Sequence, residues 1–310
     1  MKNHIINRIL IPMDFSKIAL LALEHGIFMA RVFKADVYLL HVIELMEFSF
    51  NADGPSLLIR NDKEDEWESV ITNKFKEIIK KTVPKNDVRV TPIIAKGLLT
   101  DRIAENVKNN QIDVIVMGTH GAKVFSEYFI GSNAHKTATV SSCPVITIQA
   151  QAKQPGVNNI VMPIDDSPHS QQKIDMVIEL ASHYNAKVHI LDLRSMNEEI
   201  NEKKMNIHND PLQKKMKEAE LDYVRNISNG KNLALETMNY SKKINADLIV
   251  IMTDHESNLA GMFFGGFTKQ IINHSRIPVM SIKPKENNFK KTDLITKSNS
   301  HERVKMEMNY

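Results

Sequence analysis

Residues 113–132 read DVIVMGTHGAKVFSEYFIGS. The run Asp113–Met117 is almost entirely apolar, which is typical of a strand buried in a parallel sheet. The next residues, NAHKTATV at 133–140, are predicted to form a helix. A strand that leads through a glycine-containing loop into a helix is a unit of α/β folds, and its backbone N–H groups can converge on an anion. This stretch therefore predicts an α/β fold and a phosphate-binding loop.

Four residues of the loop have properties that suit a phosphate group. Gly118 and Gly121 can adopt positive φ, and neither has a Cβ that would obstruct a ligand. Gly131 and Ser132 place a glycine and a hydroxyl group at the start of the next helix, whose dipole favours a phosphate. The alternative is that these glycines serve only a tight turn and the packing of a helix.

The chain contains an internal repeat. Residues 9–16, ILIPMDFS, recur as residues 160–167, IVMPIDDS, at an offset of 151. A second offset, of 134, aligns later segments: residues 113–117 with 247–251, and residues 144–148 with 278–282. Self-similarity at two offsets indicates two homologous domains, of which the second is shorter by 17 residues. The predicted domains are residues 1–150 and 158–284, followed by a flexible polar tail at 285–310.

Strand-like and helix-like segments alternate in the first copy, which predicts a parallel sheet with helices on both faces. Strands are predicted at residues 8–12, 37–42, 88–94, 114–117 and 145–148. Trp67 belongs to an apolar stripe among charged residues and is expected in the core, and Thr100 is expected to cap the helix that follows it.

The second copy is predicted to repeat this order over a shorter length. Its third strand is expected at residues 221–228 and the following helix at 233–244. Pro211 is expected at the first position of a brief helix, where its missing N–H costs nothing.

Composition excludes several classes of protein. A chain of 310 residues with 42% apolar and 25% charged residues is ordinary for two globular domains, and a net charge of +3 does not favour nucleic acid. No apolar stretch approaches the roughly 18 residues that span a membrane, and the N-terminus has no signal-peptide region, so a cytoplasmic location is expected. The single cysteine, Cys143, is expected to act as a small buried apolar residue.

The spacing Gly-x-x-Gly, nine residues, Gly-Ser resembles the ATP-binding signature of the universal stress protein family, and it is filled here by Gly118, Gly121, Gly131 and Ser132. The resemblance covers about residues 7–284 and is strongest in the first half. It implies two open five-stranded parallel sheets with helices on both faces. It also implies ATP as the ligand, with Mg²⁺ as a companion and AMP or ADP as alternatives, in a structural or signalling role in stress response.

The resemblance further implies which residues form the nucleotide site, at the carboxyl ends of the strands. Asp14 would lie near the base and Val42 would contact the adenine, while Met117 would line the pocket. The alternatives are that Asp14 is a turn or capping residue and that Val42 only packs in the core. The complete expected set is Pro12, Asp14, Ser16, Val42, Met117, Gly118, Gly121, Gly131, Ser132 and Asn133.

The second copy has lost this signature. The offset of 134 places Met252 at the position of Gly118 and His255 at that of Gly121, although Asp165 still matches Asp14. A Cβ at a left-handed position costs roughly 1–2 kcal/mol, so the second domain is predicted not to bind ATP in the family's manner. The family resemblance implies instead that the two domains pair in cis through their last strands, while further oligomerisation is left open.

The sequence contains no catalytic or metal-binding pattern. His120 lacks a carboxylate in its loop that would orient it as a general base, and no Walker motif occurs. The spacing of Asp254, His255 and His274 fits no standard metal site. Two alternatives to a bound structural or signalling nucleotide remain: a slow ATP hydrolase, and an interaction protein that carries no nucleotide.

Overall fold

Ten strands form one continuous sheet in the computed structural model, which describes residues 6–44, 48–51, 54–57, 64–119, 132–165, 169–195, 211–253 and 265–285. The first copy contains, in chain order, β1 (Arg8–Pro12), α1 (Lys17–Phe33), β2 (Asp36–Ile43), β3 (Phe48–Asn51), β4 (Gly54–Leu57), α2 (Glu64–Thr82), β5 (Val90–Lys96), α3 (Leu99–Asn109), β6 (Val114–Gly118), α4 (Ser132–Val140) and β7 (Val145–Ile148). Strands β3 and β4 form a separate antiparallel pair that the sequence analysis did not predict.

The second copy repeats this order, and residues 196–210, at the place where the first copy has its small antiparallel pair, lie outside the described residues. It contains β8 (Asn159–Ile164), α5 (Ile174–Tyr184), β9 (Lys187–Ser195), α6 (Pro211–Glu218), β10 (Tyr223–Gly230), α7 (Leu233–Lys243), β11 (Leu248–Met252), α8 (Gly265–His274) and β12 (Val279–Ile282). A short 3₁₀ turn at Ser170–Lys173 precedes α5. The register of β11 on β8 matches that of β6 on β1, because Leu248 lies opposite Ile160 as Val114 lies opposite Ile9.

The two copies join through their last strands. The order across the sheet is β10-β9-β8-β11-β12-β7-β6-β1-β2-β5, so each copy contributes five parallel strands. Strands β7 and β12 pair antiparallel, with Met280 opposite Ile146. Each would otherwise be an edge strand with unpaired backbone groups, and each supplies the other with a partner in cis, as the sequence analysis expected.

Apolar side chains cover both faces of this sheet and span both copies. On one face α1, α2, α5 and α6 pack on the strands, with Phe33, Phe75 and Met216 almost completely buried. On the other face α3, α4, α7 and α8 do the same, with Ile103 and Ile271 in the core. Within the described residues no helix is long and apolar enough to cross a membrane.

Most predicted elements are present, with small shifts at their ends. The strand expected at residues 88–94 lies at Val90–Lys96, and the one expected at 221–228 lies at Tyr223–Gly230. The brief helix at Pro211 is confirmed. The assignment of Thr100 as a helix cap is wrong: α3 begins one residue earlier, and its N-cap position, Leu98, provides no side-chain hydrogen bond. The predicted tail lies outside the described residues, apart from Lys285.

Trp67 does not belong to the core, and that expectation is wrong. Its side chain is 62% exposed, whereas Ile71 and Phe75, one and two turns further along α2, are buried. The neighbouring Glu68 forms a 3.0 Å ion pair with Lys96, the last residue of β5. Trp67 is therefore adjacent to a residue that contacts the end of β5, and the sheet does not cover its side chain.

Cys143 should react slowly with alkylating reagents. Burial raises the pKa of its thiol from 9.0 to about 11, and the Ser141 hydroxyl lies 3.5 Å from the sulfur. Because the thiolate is the reactive species, we expect iodoacetamide at pH 8 to modify the folded chain about 100-fold more slowly than the same chain in denaturant. Equal rates in the two conditions would contradict this description of Cys143.

Candidate functional site

The carboxyl ends of three adjacent strands meet at one edge of the first domain. Strand β1 lies between β6 and β2, and the chain order of the strands reverses on the two sides of β1. Pro12 ends β1, Val42 lies one residue before the end of β2, and Gly118 ends β6. Parallel sheets bind ligands at such a reversal, beyond the carboxyl ends of the strands. The structure therefore brings together three of the expected site residues.

Gly118 is required at this edge because α1 packs against it. A Cβ at Gly118 would lie 2.5 Å from the Cγ2 atom of Ile18 and 3.2 Å from the backbone carbonyl carbon of Ile18. Its φ is not in the positive range that the sequence analysis considered. The helix-packing alternative thus accounts for Gly118, and the same contact keeps the first turn of α1 beside the end of β6.

The turn between β1 and α1 is built by two of the expected site residues. The Asp14 carboxylate accepts a 3.0 Å hydrogen bond from the backbone N–H of Ser16. The Ser16 hydroxyl in turn accepts from the N–H of Ala19 at 3.1 Å and caps α1. Asp14 is therefore a turn residue, and its exposed side chain lies at the carboxyl edge of the sheet.

This turn carries an aromatic cluster that was not predicted from the sequence. Phe15 has a φ of 64°, a left-handed conformation that costs a non-glycine residue about 1–3 kcal/mol. Its ring lies 5.0 Å from that of His41 and 5.5 Å from that of Phe75, and the Lys74 ammonium lies 5.1 Å from its centre. The segment Asp-Phe-Ser at residues 14–16 gave no sign of positive φ at a phenylalanine.

His41 holds the ends of β1 and β2 together. Its Nδ1 donates a 2.7 Å hydrogen bond to the carbonyl of Met13, and the N–H of Met13 donates to the carbonyl of Leu40, also at 2.7 Å. These bonds continue the pairing of the two strands beyond Pro12. One side-chain and one main-chain hydrogen bond therefore fix the ends of β1 and β2 at the candidate site.

Some of the remaining expected residues lie in the described part of the chain, and others lie outside it. Met117 is buried in the core, Val42 is half-buried and packs on the same core, and Asn133 is half-buried in the first turn of α4. Ser132 begins α4, while Gly121 and Gly131 lie outside the described residues. Within the described part of the chain, no group of acidic, histidine or cysteine side chains is arranged to hold a metal ion.

The corresponding edge of the second domain differs in two ways. Met252 ends β11 opposite Ile282, as Gly118 ends β6 opposite Ile148, which confirms the predicted replacement of that glycine. The helix after β8 begins late, because the 3₁₀ turn takes the place of the early turns of α1. His255 lies outside the described residues.

A buried lysine, Lys173, ends the 3₁₀ turn. Its side chain is 2% exposed, and burial lowers the pKa of its ammonium from 10.5 to about 8, while the Asp165 carboxylate partly opposes this shift. The offset of 151 places Lys173 where the first copy has Ala22, which is fully buried. Lys173 was not singled out from the sequence, although a charged residue at an apolar position of the repeat is a detectable signal.

Both halves of the chain match one family model. The model described as the universal stress protein family matches residues 6–149 and 156–283. Universal stress protein MJ0577 of Methanocaldococcus jannaschii is 31% identical over 153 residues, which are 46% of this chain and 94% of that protein. Universal stress protein YxiE of Bacillus subtilis is 25% identical over 151 residues, which are 46% of this chain and 99% of that protein.

Solved structures share the two-domain arrangement. A universal stress protein from Archaeoglobus fulgidus superposes with a TM-score of 0.70 at 17% identity, over 90% of this chain and 97% of that one. A protein from Pseudomonas aeruginosa that is described as a putative universal stress protein gives a TM-score of 0.64 at 15% identity, over 90% and 94%. At these identities the likeness shows the fold.

Proposed function

Because the chain belongs to the universal stress protein family, we propose that its first domain binds an adenine nucleotide, with ATP as the ligand, at the carboxyl edge of β1, β2 and β6. One observation carries the proposal: Pro12, Val42 and Gly118 meet where the strand order reverses, and the sequence continues from Gly118 into the glycine loop and α4. Both the base and the phosphates would find suitable chemistry there.

The described residues fit such a ligand. Val42 offers an apolar contact for a base, and the Asp14 carboxylate offers a hydrogen-bond acceptor for an amino group or a ribose hydroxyl. The nine-residue helix α4 begins at Ser132, and the positive end of its dipole would favour the phosphates. Gln149, directly after β7, is 4% exposed, and its amide atoms make no hydrogen bond among the described residues.

The nucleotide would act as a bound structural or signalling ligand. It would tie the turn after β1, the end of β2 and the start of α4 into one unit, because each of these segments would contribute contacts to it. The strained backbone of Phe15 is already held by its aromatic neighbours, so the turn is preorganised for binding. The second domain, with Met252 at the corresponding edge, would not bind a nucleotide in this way.

Denaturing the purified protein should release about one adenine nucleotide per chain, which chromatography and mass spectrometry identify. In the variant Gly121→Glu a carboxylate enters the predicted phosphate loop, and its charge should abolish the bound nucleotide. Gly156→Glu is the matched control, because no atom lies within 4 Å of a Cβ at that position in the linker. This control should retain the nucleotide.

Other outcomes of the same experiment reject parts of the proposal. Two nucleotides per chain would contradict the expected vacancy of the second domain. No nucleotide, combined with no rebinding of added ATP, would favour an interaction protein without a nucleotide. Multiple turnover of ATP that is lost in Gly121→Glu and kept in Gly156→Glu would favour a slow hydrolase.

A further inference from the structure

We propose that a groove between the two domains binds a small apolar carboxylate, of about the size of benzoate, with basic side chains as its counter-ions. The groove lies at the amino ends of β11 and β12, beside α1 and the linker between the domains, residues 149–158. It is separate from the candidate nucleotide site, because none of the described residues of that site lines it. The inference does not depend on whether the first domain binds ATP.

Three basic side chains from separate segments line the groove. Lys153 belongs to the linker, Lys242 lies in the last turn of α7, and Arg276 lies between α8 and β12. All three residues are exposed, and within the described ranges none of their side chains forms an ion pair or a hydrogen bond. A carboxylate in the groove would face these cations, and the Arg276 guanidinium can hold it through two parallel hydrogen bonds.

The carboxylate that lines the groove, Asp247, has another role. It accepts hydrogen bonds of 2.8 and 3.0 Å from the two backbone N–H groups at the start of β8. Its counterpart in the first copy, Asp113, accepts bonds of 2.7 and 2.9 Å from the two N–H groups at the start of β1. Asp247 therefore joins two strand starts, as Asp113 does. Arg276, by contrast, replaces Ser142 of the first copy at the offset of 134, so the basic character of the groove is particular to the second domain.

The volume and the apolar wall of the groove suit one aromatic ring. The groove has a volume of about 160 Å³, and its lining includes Ala246 and Pro278, which are buried, and the half-buried Ile277. For comparison, an apolar cavity of about 150 Å³ holds one benzene molecule. The ring would displace water from the apolar wall while its carboxylate meets the exposed basic side chains.

His25 of α1 fixes one wall of the groove and limits the length of the ligand. Its Nε2 donates a 3.0 Å hydrogen bond to the carbonyl of Lys153, which ties α1 to the linker. Burial lowers the pKa of this imidazole, so His25 is mainly neutral at pH 7 and is not a counter-ion. A second cavity, of about 30 Å³, shares His25 with the groove and is lined by Phe28 and Tyr184. It is too small for another ring, so the ligand has one ring and an acid group.

Titration of para-fluorobenzoate with the purified protein, followed by fluorine NMR of the probe, tests the proposal. With the wild-type chain the signal should shift and broaden saturably, with a dissociation constant of about 1 mM or below. The alcohol para-fluorobenzyl alcohol has the same ring and no charge, so it should bind about tenfold more weakly. Acetate, which has the charge and no ring, should not displace the probe.

Variants locate the binding in the groove. Gly156→Glu places a carboxylate among the basic side chains, where no atom lies within 4 Å of the added Cβ, and it should abolish binding. Arg276→Met should weaken binding about tenfold. Lys243→Met is the matched control, because it removes an exposed lysine next to Lys242 that does not line the groove. Lys243→Met and Gly121→Glu, which alters the predicted phosphate loop of the first domain, should both keep full affinity.

The unfolding midpoint of each variant without the probe should lie within about 3 °C of that of the wild-type chain, which separates lost binding from a lost fold. The absence of saturable binding up to about 10 mM of the acid would overturn the proposal. Equal affinities for the acid and the alcohol would show that the basic side chains do not recognise the ligand. Full affinity in Gly156→Glu or Arg276→Met, or binding lost in Gly121→Glu, would place the acid at another site.

Discussion

Replacing Lys173 with methionine should raise the free energy of unfolding by about 3 kcal/mol at pH 7 in chloride buffer. The reason is that folding removes the ammonium from water, and burial lowers its pKa from 10.5 to about 8. The one hydrogen bond to Ser170 does not compensate for that loss. Methionine keeps most of the side-chain volume and has no charge to desolvate.

The pH dependence of this gain has a definite sign. Between about pH 8 and pH 10.5 the unfolded chain holds a proton on Lys173 that the folded chain has released, so this residue makes the wild-type chain more stable as pH rises through that window. Below about pH 8 both states are protonated and the full cost remains. The advantage of Lys173→Met should therefore be largest at neutral pH and disappear near pH 10.5.

Urea unfolding of the two chains at several pH values measures this difference, and the comparison cancels the titration of all other groups. Lys242→Met is the control, because this lysine is exposed and its replacement should change stability by less than about 0.5 kcal/mol. A less stable Lys173→Met at pH 7 would show that the buried ammonium has a strong favourable partner.

The arrangement of strands was readable from the sequence because its signals are local and repeated. The apolar runs of residues 8–12, 114–117 and 145–148 are strands almost to the residue, and the two offsets located their counterparts in the second copy. The residues at which α2 and α3 begin, and their exposure, were harder to predict from the sequence. Whether Trp67 is covered depends on where the neighbouring strand stops, and that is a property of the tertiary structure.

The residues that shape the carboxyl edges of the two sheets could be predicted from the sequence only in part. Residue spacing indicated Gly118, but the contact that requires a glycine there is made by Ile18, a residue 100 positions earlier in the chain. The positive φ of Phe15 is maintained by packing against His41 and Phe75, which no local pattern announces. Lys173 is different, because comparison of the two copies position by position would have found it opposite Ala22.

The pairing of β12 with β7 explains why the second copy could lose the glycines of the nucleotide-binding signature. The second domain contributes β12, which pairs with β7 and removes an exposed edge from the first domain. That contribution needs the apolar strands and their register, and it does not need a nucleotide loop. Residues such as Met252 could therefore replace the glycines without loss of the sheet.

Placing proline at Met280 should destabilise both domains, with a loss of about 5 kcal/mol in the free energy of unfolding. Met280 is fully buried in a central strand, paired with Val250 on one side and Ile146 on the other. Proline removes a ladder hydrogen bond and the buried side chain, and a central strand tolerates neither loss.

Hydrogen exchange read by mass spectrometry separates the effects of Met280→Pro on the two domains. Amides of β7 should lose protection together with those of β12, because the strand that covers the edge of β7 is displaced. Met280→Leu keeps the volume and the backbone donor, so it should cost less than about 1.5 kcal/mol and leave both strands protected. If β12 lost protection in Met280→Pro while β7 kept it, the first domain would be independent of its partner, and the explanation of the lost signature would fail with it.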